Sequence, residues 1–454
     1  MMLKRYSTET DIPWQLVLFL LVVFVLATWN HLSLSDSNNV VSADELAETV
    51  RNGSIQREIA LLCLGAYGLV DLIRRRGGSI HPNGAAGVAL ICYALWVCVS
   101  LAWTADLQIT SRAIARFILM GVAAIAIASK LTLRQLAKVA FHISMFTLCL
   151  SVIAELVWGS WNLANPAWRF SGLMHPVAEG WNCAVLIISA LHLSNSSQRF
   201  RRFYRIAAGV GFVFLALTKS RMTLGCVVFA LFVHFLLSLT ASRRITAVFL
   251  GLSGSGTFLA AVAISRQLQE YVFEGAAFGR GAEGQASIVS LTGRLPLWGE
   301  CLEYSLRHPL HGYGYNTFLS SNTLLAISDP SGWMSSPHSA YLGTFLELGI
   351  VGLVFLVATI IFTIRLSLYR VVADQDQLFC VSVLVWMSMN MALESFLLTD
   401  PFFSTFLGWI LLARVNLTRR SKTPARPAQH VTAGHKSERN VYCGGLIPGH
   451  LFLD

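Results

Sequence analysis

Charge is what this sequence has least of. Asp, Glu, Lys and Arg make up 13% of its 454 residues, whereas a soluble domain carries about a quarter. A water-soluble globular chain of this length is thereby excluded. Metal-binding spacing is missing too. The nine cysteines form no CxxC pair and no Cys/His pattern that suggests zinc. Cys63, Cys92, Cys98, Cys149, Cys183, Cys226 and Cys380 lie inside apolar runs, and only Cys301 and Cys443 fall in polar stretches. They read as small apolar helix residues rather than a disulfide framework. No repeat of fixed period shows, and no glycine-rich nucleotide loop follows a strand. The first apolar run, beginning at Trp14 after Lys4 and Arg5, lacks a small-residue cleavage site, so it reads as a retained first span.

What the chain does have is apolar residues, 55% of the total, gathered into runs. These lie near 14–33, 58–73, 84–103, 113–129, 138–158, 176–194, 206–218, 222–239, 245–264, 339–364, 378–398 and 401–415. About 20 residues at 1.5 Å rise cross ~30 Å of hydrocarbon. The expectation is an all-α, polytopic transmembrane bundle of about twelve spans. Residues 1–264 would hold spans one to nine, and 265–338 one long loop with short amphipathic helices. Spans ten to twelve would occupy 339–417, before a disordered tail, 418–454, rich in polar residues and proline.

The net charge of +10 is then a matter of topology before it is one of partners, and no nucleic-acid partner is expected. With the N-terminus in the cytoplasm, 23 of the 34 Lys and Arg fall on the inner side. That is the positive-inside pattern, with both termini cytoplasmic. The eleven left outside are Arg51, Arg57, Arg112, Arg116, Arg169, Lys219, Arg221, Arg266, Arg280, Arg294 and Arg307. Ten of these are arginine, whose planar fork of donors matches phosphate oxygens. An anionic ligand on the outer face is one reading; ordinary loop salt bridges are the other.

Three positions stand out. Arg221 follows a run of only thirteen apolar residues (206–218), so the turn bearing Lys219 and Arg221 is expected below the outer lipid surface, with Ser220 capping the next helix. A helix start there would seat a phosphate; the alternative is snorkelling to the interface. Arg294 opens a short helix in which Leu295, Trp298, Leu302 and Leu306 recur at helical spacing. His338 follows Pro337 at the mouth of an apolar helix, where an imidazole can take a proton from a hydroxyl; a lone loop histidine is the plainer reading. Gly312-Tyr313-Gly314 does not make a potassium filter, since histidine precedes it and many spans surround it.

Taken together, "RFSGLMHP" (169–176), "TKSR" (218–221), "TGRLPLWGECLEYSLRHPLHGYGYNTF" (292–318) and "PHSAYLGTFLELGIVGL" (337–353) resemble the O-antigen ligase and polymerase family of membrane glycosyltransferases. One departure is Ser339, where the family usually has Asn after the histidine. The resemblance implies an inner-membrane enzyme that needs neither metal nor other cofactor. It would move a glycan, with inversion, from an undecaprenyl-diphosphate carrier to an acceptor hydroxyl on the periplasmic side. The acceptor would be another glycan, as in O-antigen or exopolysaccharide polymerases, or lipid A core, as in lipopolysaccharide ligases. Arg221, Arg294 and His338 match the family's essential residues. Arg169, His175 and Lys219 are expected to contact substrate, and Glu347 matches the family's Glu-Leu-Gly in a structural role. The competing class is a lipid-linked oligosaccharide flippase without transferase chemistry.

Overall fold

The computed structural model describes residues 12–28, 54–74, 78–165, 168–239, 294–320, 323, 327, 336–372, 374–395 and 402–421. Most of the expected loop 265–338, the run 245–264 and the tail from 422 lie outside them. Residues 1–420 form one unit; of the second, 421–454, only Ser421 is described.

Among the described residues there are twelve α-helices: α1 (Trp14–Thr28), α2 (Ile55–Arg74), α3 (Gly84–Val99), α4 (Leu107–Lys130), α5 (Leu133–Val157), α6 (Pro176–Ser196), α7 (Arg201–Leu217), α8 (Arg221–Ser238), α9 (Arg294–Ser305), α10 (Ala340–Arg370), α11 (Gln377–Leu393) and α12 (Phe403–Asn416). Two short strands, β1 (Gly78–Pro82) and β2 (Leu417–Ser421), pair. Eleven of the twelve apolar runs thus coincide with helices, and the remaining one is not described. Six of the helices are long and apolar enough to cross a membrane, while α1 and α11 are shorter apolar helices.

Local chemistry sets several boundaries. Asp106 caps α4 by accepting from the Gln108 and Ile109 amides, and Thr132 forms a capping box with Gln135 at the start of α5. Pro176 occupies the first turn of α6, where its missing N–H costs nothing.

The helices are sorted by what surrounds them. Along α6 even Glu179, Asn182, Ser189 and His192 are buried, and it packs against α5, α7, α8, α11 and α12. Peripheral helices show apolar side chains outward instead, such as Leu18 and Val22 on α1, Ile206 and Val213 on α7, and Phe232 and Phe235 on α8. Apolar surface on this scale has no place in water. The chain is a membrane protein.

Ion pairs give the directions of the helices. Arg112 bonds Glu58 near the starts of α4 and α2, and Lys130 lies 3.8 Å from Asp71 near their ends, so these two run parallel. His234 Nδ1 lies 2.8 Å from Ser382 Oγ, while the charge of Glu394 reaches Cys226, so α8 and α11 run antiparallel. At one end of the bundle, Arg134 and His192 both lie 3.3 Å from Asp376. The other end collects the starts of α6, α8 and α10 and the ends of α7 and α11, and there the candidate residues gather.

Candidate active site

The segment before α10 determines where His338 sits. Pro337 turns the chain, His338 adopts φ 46°, and Ser339 caps α10 by accepting from the Leu342 amide at 3.4 Å. A left-handed φ is uncommon for histidine and marks a tightly specified turn. The serine found in place of asparagine therefore has a local task of its own. Trp298 of α9 holds the turn, its Nε1 donating to the Pro337 carbonyl at 3.0 Å.

Arg294 is the first residue of α9, as its position ahead of Pro296 suggests. Its Nη2 donates to Glu394 Oε1 at 2.6 Å and its Nη1 to the Leu393 carbonyl. His338 Nδ1 lies 3.4 Å from the other oxygen of the same carboxylate. Glu394 is one residue beyond the end of α11, with its side chain 8% exposed, and its carbonyl accepts from the Ala340 amide at 3.1 Å. Thus two residues separated from Glu394 by 100 and 56 positions in sequence converge on one buried carboxylate. Burial pushes the Glu394 carboxyl up, but the His338 hydrogen bond and the Arg294 and His338 charges outweigh it and hold the group below the usual carboxylate range.

A second group surrounds the turn between α7 and α8. Lys219 has φ 52°, Arg221 opens α8, and both are partly buried. Ser220 stands at the capping position but does not cap; its hydroxyl instead donates to Thr223 Oγ1 at 2.9 Å. Arg169 Nε donates to the Thr218 carbonyl at 2.9 Å, which ties its loop to the same turn. His175 is exposed and caps α6, accepting from Val177 N at 3.4 Å.

Arg294 and His338 therefore share one partner, and Arg169 joins the Lys219–Arg221 turn. Both groups lie at the same end of the antiparallel α8–α11 pair. Glu394 was missed in the sequence. Its signal is a lone acidic residue inside the apolar run 378–398, whose helix stops at Leu393. The leucine side of α9 is the outward one. Leu295, Leu302 and Leu306 face away from the protein, and the opposite face, Leu297 and Cys301, packs against Phe318 and Leu346. A helix with apolar residues on both sides does not reveal by spacing which side the protein covers.

Glu347 has the structural role expected of it, through a break in α10. Gly349 adopts φ 67°, ψ −171°, and a Cβ there would lie 2.2 Å from the Leu310 carbonyl oxygen. The chain at 309–314 fills the gap. Tyr313 and Gly314 amides donate to the Leu346 and Glu347 carbonyls at 3.1 and 2.8 Å. The Ile350 amide donates to the Pro309 carbonyl at 2.8 Å, and Trp96 Nε1 to the Leu348 carbonyl at 2.9 Å. The Glu347 carboxyl group accepts from the backbone of Asn316 and Phe318. The Leu346, Glu347 and Leu348 carbonyls and the Ile350 amide thus find partners outside the helix, as an apolar setting demands.

Residues 206–357 match the family model described as O-antigen ligase. Over this stretch the chain is similar to the O-antigen ligase family, which implies activity of membrane glycosyltransferase type with a lipid-linked glycan donor and an acceptor. It runs from α7 into the second half of α10 and contains Lys219, Arg221, Arg294, His338 and Glu347, whereas Arg169, His175 and Glu394 lie outside it. No curated protein matches the chain.

Proposed function

We propose that this protein transfers a glycan from an undecaprenyl-diphosphate carrier to an acceptor hydroxyl at the periplasmic face of the inner membrane. The observation that carries the reading is the joint hold of Glu394 on Arg294 and His338. With N–H on Nδ1 facing Glu394, the His338 Nε2 lone pair is the base. It takes the proton of the acceptor hydroxyl as that oxygen bonds to the anomeric carbon. The bond from that carbon to the diphosphate oxygen breaks from the opposite face, and undecaprenyl diphosphate departs with the electron pair. The configuration inverts.

Negative charge grows on the diphosphate as it leaves, and groups that bind it best at that moment lower the barrier. Arg294 uses two of its five N–H groups on Glu394 and Leu393, and its remaining donors are assigned to phosphate. Arg221 and Lys219 supply further positive charge at the start of α8, where helical N–H groups favour anions. Arg169 and His175 meet the diphosphate or its first sugar. This charge compensation needs no metal, so purified protein should keep transferring in the presence of chelator; a strict divalent-cation requirement for turnover would overturn the arginine account.

The deciding experiment is the glycan profile of a deletion strain complemented with wild type, Arg294→Ala or His338→Ala. Wild type should restore the product and neither variant should, with membrane insertion intact. Product from both variants would refute the assignment. Polymer still on its lipid carrier in the deletion strain marks a ligase, and single repeats in its place mark a polymerase. One observation favours a flippase: the broken helix α10, since transporters bind cargo at such breaks. Here, however, residues 309–314 of the same chain occupy the break. Movement of lipid-linked glycan across vesicles without any transfer would establish the flippase instead.

A further inference from the structure

The loop that carries Arg169 is held from both sides. Glu155, in the last turn of α5 and 1% exposed, is a buried carboxylate with no place in the chemistry above. Its Oε1 accepts from the Ser171 amide at 3.0 Å, the Ser171 hydroxyl at 3.2 Å and the Gly172 amide at 3.1 Å. Its Oε2 accepts from the Ser160 hydroxyl at 2.5 Å. Gly172 has φ 56°, and a Cβ there would lie 2.2 Å from that of Ser151, so the loop fits only with glycine. Behind it, Ser151 Oγ donates to Glu179 at 3.0 Å and accepts from the Leu173 amide at 3.3 Å.

On its other side the loop grips the end of α7. The Phe170 amide donates to the Leu217 carbonyl at 3.0 Å, and Arg169 Nε to the Thr218 carbonyl at 2.9 Å. Those carbonyls lead directly into Lys219 and Arg221. We infer that Glu155 is a positioning residue: by clamping Ser171 and Gly172 it sets Arg169 against the Thr218 carbonyl and so holds the Lys219–Arg221 turn in place for an anionic donor. The site would then take a diphosphate not on one flexible arginine but on two chain segments locked together from below. A carboxylate suits this task because charge-assisted hydrogen bonds to backbone amides are short and strong, and because a buried carboxylate must keep all of them.

The inference rests on the glycosyltransferase reading for its functional half, so its test has two readouts. The first is hydrogen exchange in purified full-length protein. If Glu155 only satisfied local amides, Glu155→Ala would expose peptides over 168–174 alone; the clamp predicts faster exchange over 215–222 as well. The second is kinetic. Glu155→Ala should raise the KM for undecaprenyl-diphosphate-linked glycan about tenfold or more, the scale of one charge-assisted contact, with a smaller change in kcat. Glu155→Gln, which keeps an acceptor oxygen, should restore most of the affinity, and adding Glu155→Ala to Arg169→Ala should cost little more than Arg169→Ala alone. Should Glu155→Ala fail to fold, Glu155→Asp, one carbon shorter, carries the same test. Unchanged exchange over 215–222, or additive effects of the two alanine variants, overturns the inference. Wild type that moves no glycan, while 215–222 still loosens in the variant, leaves the clamp standing and removes the transferase instead.

Discussion

At the scale of the residue, the arrangement that matters is one carboxylate with two cationic or basic neighbours. Glu394 alone, buried and charged, would cost several kcal/mol, and Arg294 offsets that cost. Replacing Arg294 by alanine is therefore expected to act twice. Transfer should fall about 10²–10³-fold, as for loss of one donor to a developing anion. Stability should fall by about 3–5 kcal/mol because a buried carboxylate loses its guanidinium partner; denaturation of the detergent-solubilised protein checks this. The sign with pH follows from the depressed Glu394 carboxyl. Its contribution is fully present above the ordinary carboxylate range near 4.5 and is lost as pH falls through its lower folded value. Thermal midpoints should hold from neutrality to about pH 5 and drop below that, and Glu394→Gln should show a smaller acid drop while starting from a lower midpoint, since Glu155 and Asp376 still titrate.

At the scale of the element, breaks and loops stand in for regular structure and are held by buried acids. Glu155 holds the Arg169 loop, Glu347 holds 316–318, and Glu394 joins α9, α10 and α11. Glu155 and Glu347 sit where backbone amides would otherwise face an apolar interior with no acceptor, whereas Glu394 serves the side chains of Arg294 and His338. The Gly349 break is the most exacting of these features. An alanine there meets the Leu310 carbonyl at 2.2 Å and must also adopt a left-handed φ. Gly349→Ala is expected to cost at least about 1–3 kcal/mol in backbone strain and to expel the 309–314 segment. Lower yield of folded protein, together with cleavage by added protease near residue 310, would show it; a variant as stable as wild type would mean that the loop is not needed to close the break.

At the scale of the whole molecule, a nearly all-buried α6 stands inside helices whose outer faces are apolar, and the candidate residues occupy one end. Placing that end in the periplasm is part of the proposal, and it can be tested with two exposed positions at opposite ends. Leu163, between α5 and α6, is 61% exposed, and Val372, after α10, is 91% exposed. In a variant lacking native cysteines, Leu163→Cys should react with a membrane-impermeant maleimide in intact cells and Val372→Cys only after lysis. The reverse pattern would put the site in the cytoplasm, away from a periplasmic donor.

Composition and apolar run length were enough to determine that the chain is helical and lies in a membrane, since ~30 Å of hydrocarbon permits few other solutions. Local patterns were enough to single out Arg221, Arg294 and His338, because helix starts and proline turns are written in neighbouring residues. The partner of two of them was not legible. Glu394 lies 100 residues from Arg294 in sequence, and contacts at that separation leave no periodic trace. The buried face of α9, the break at Gly349 and the clamp at Glu155 were decided by tertiary structure alone. Each depends on which segment arrives to fill a space or accept a hydrogen bond, and that is set by packing among distant helices rather than by the order of residues within one.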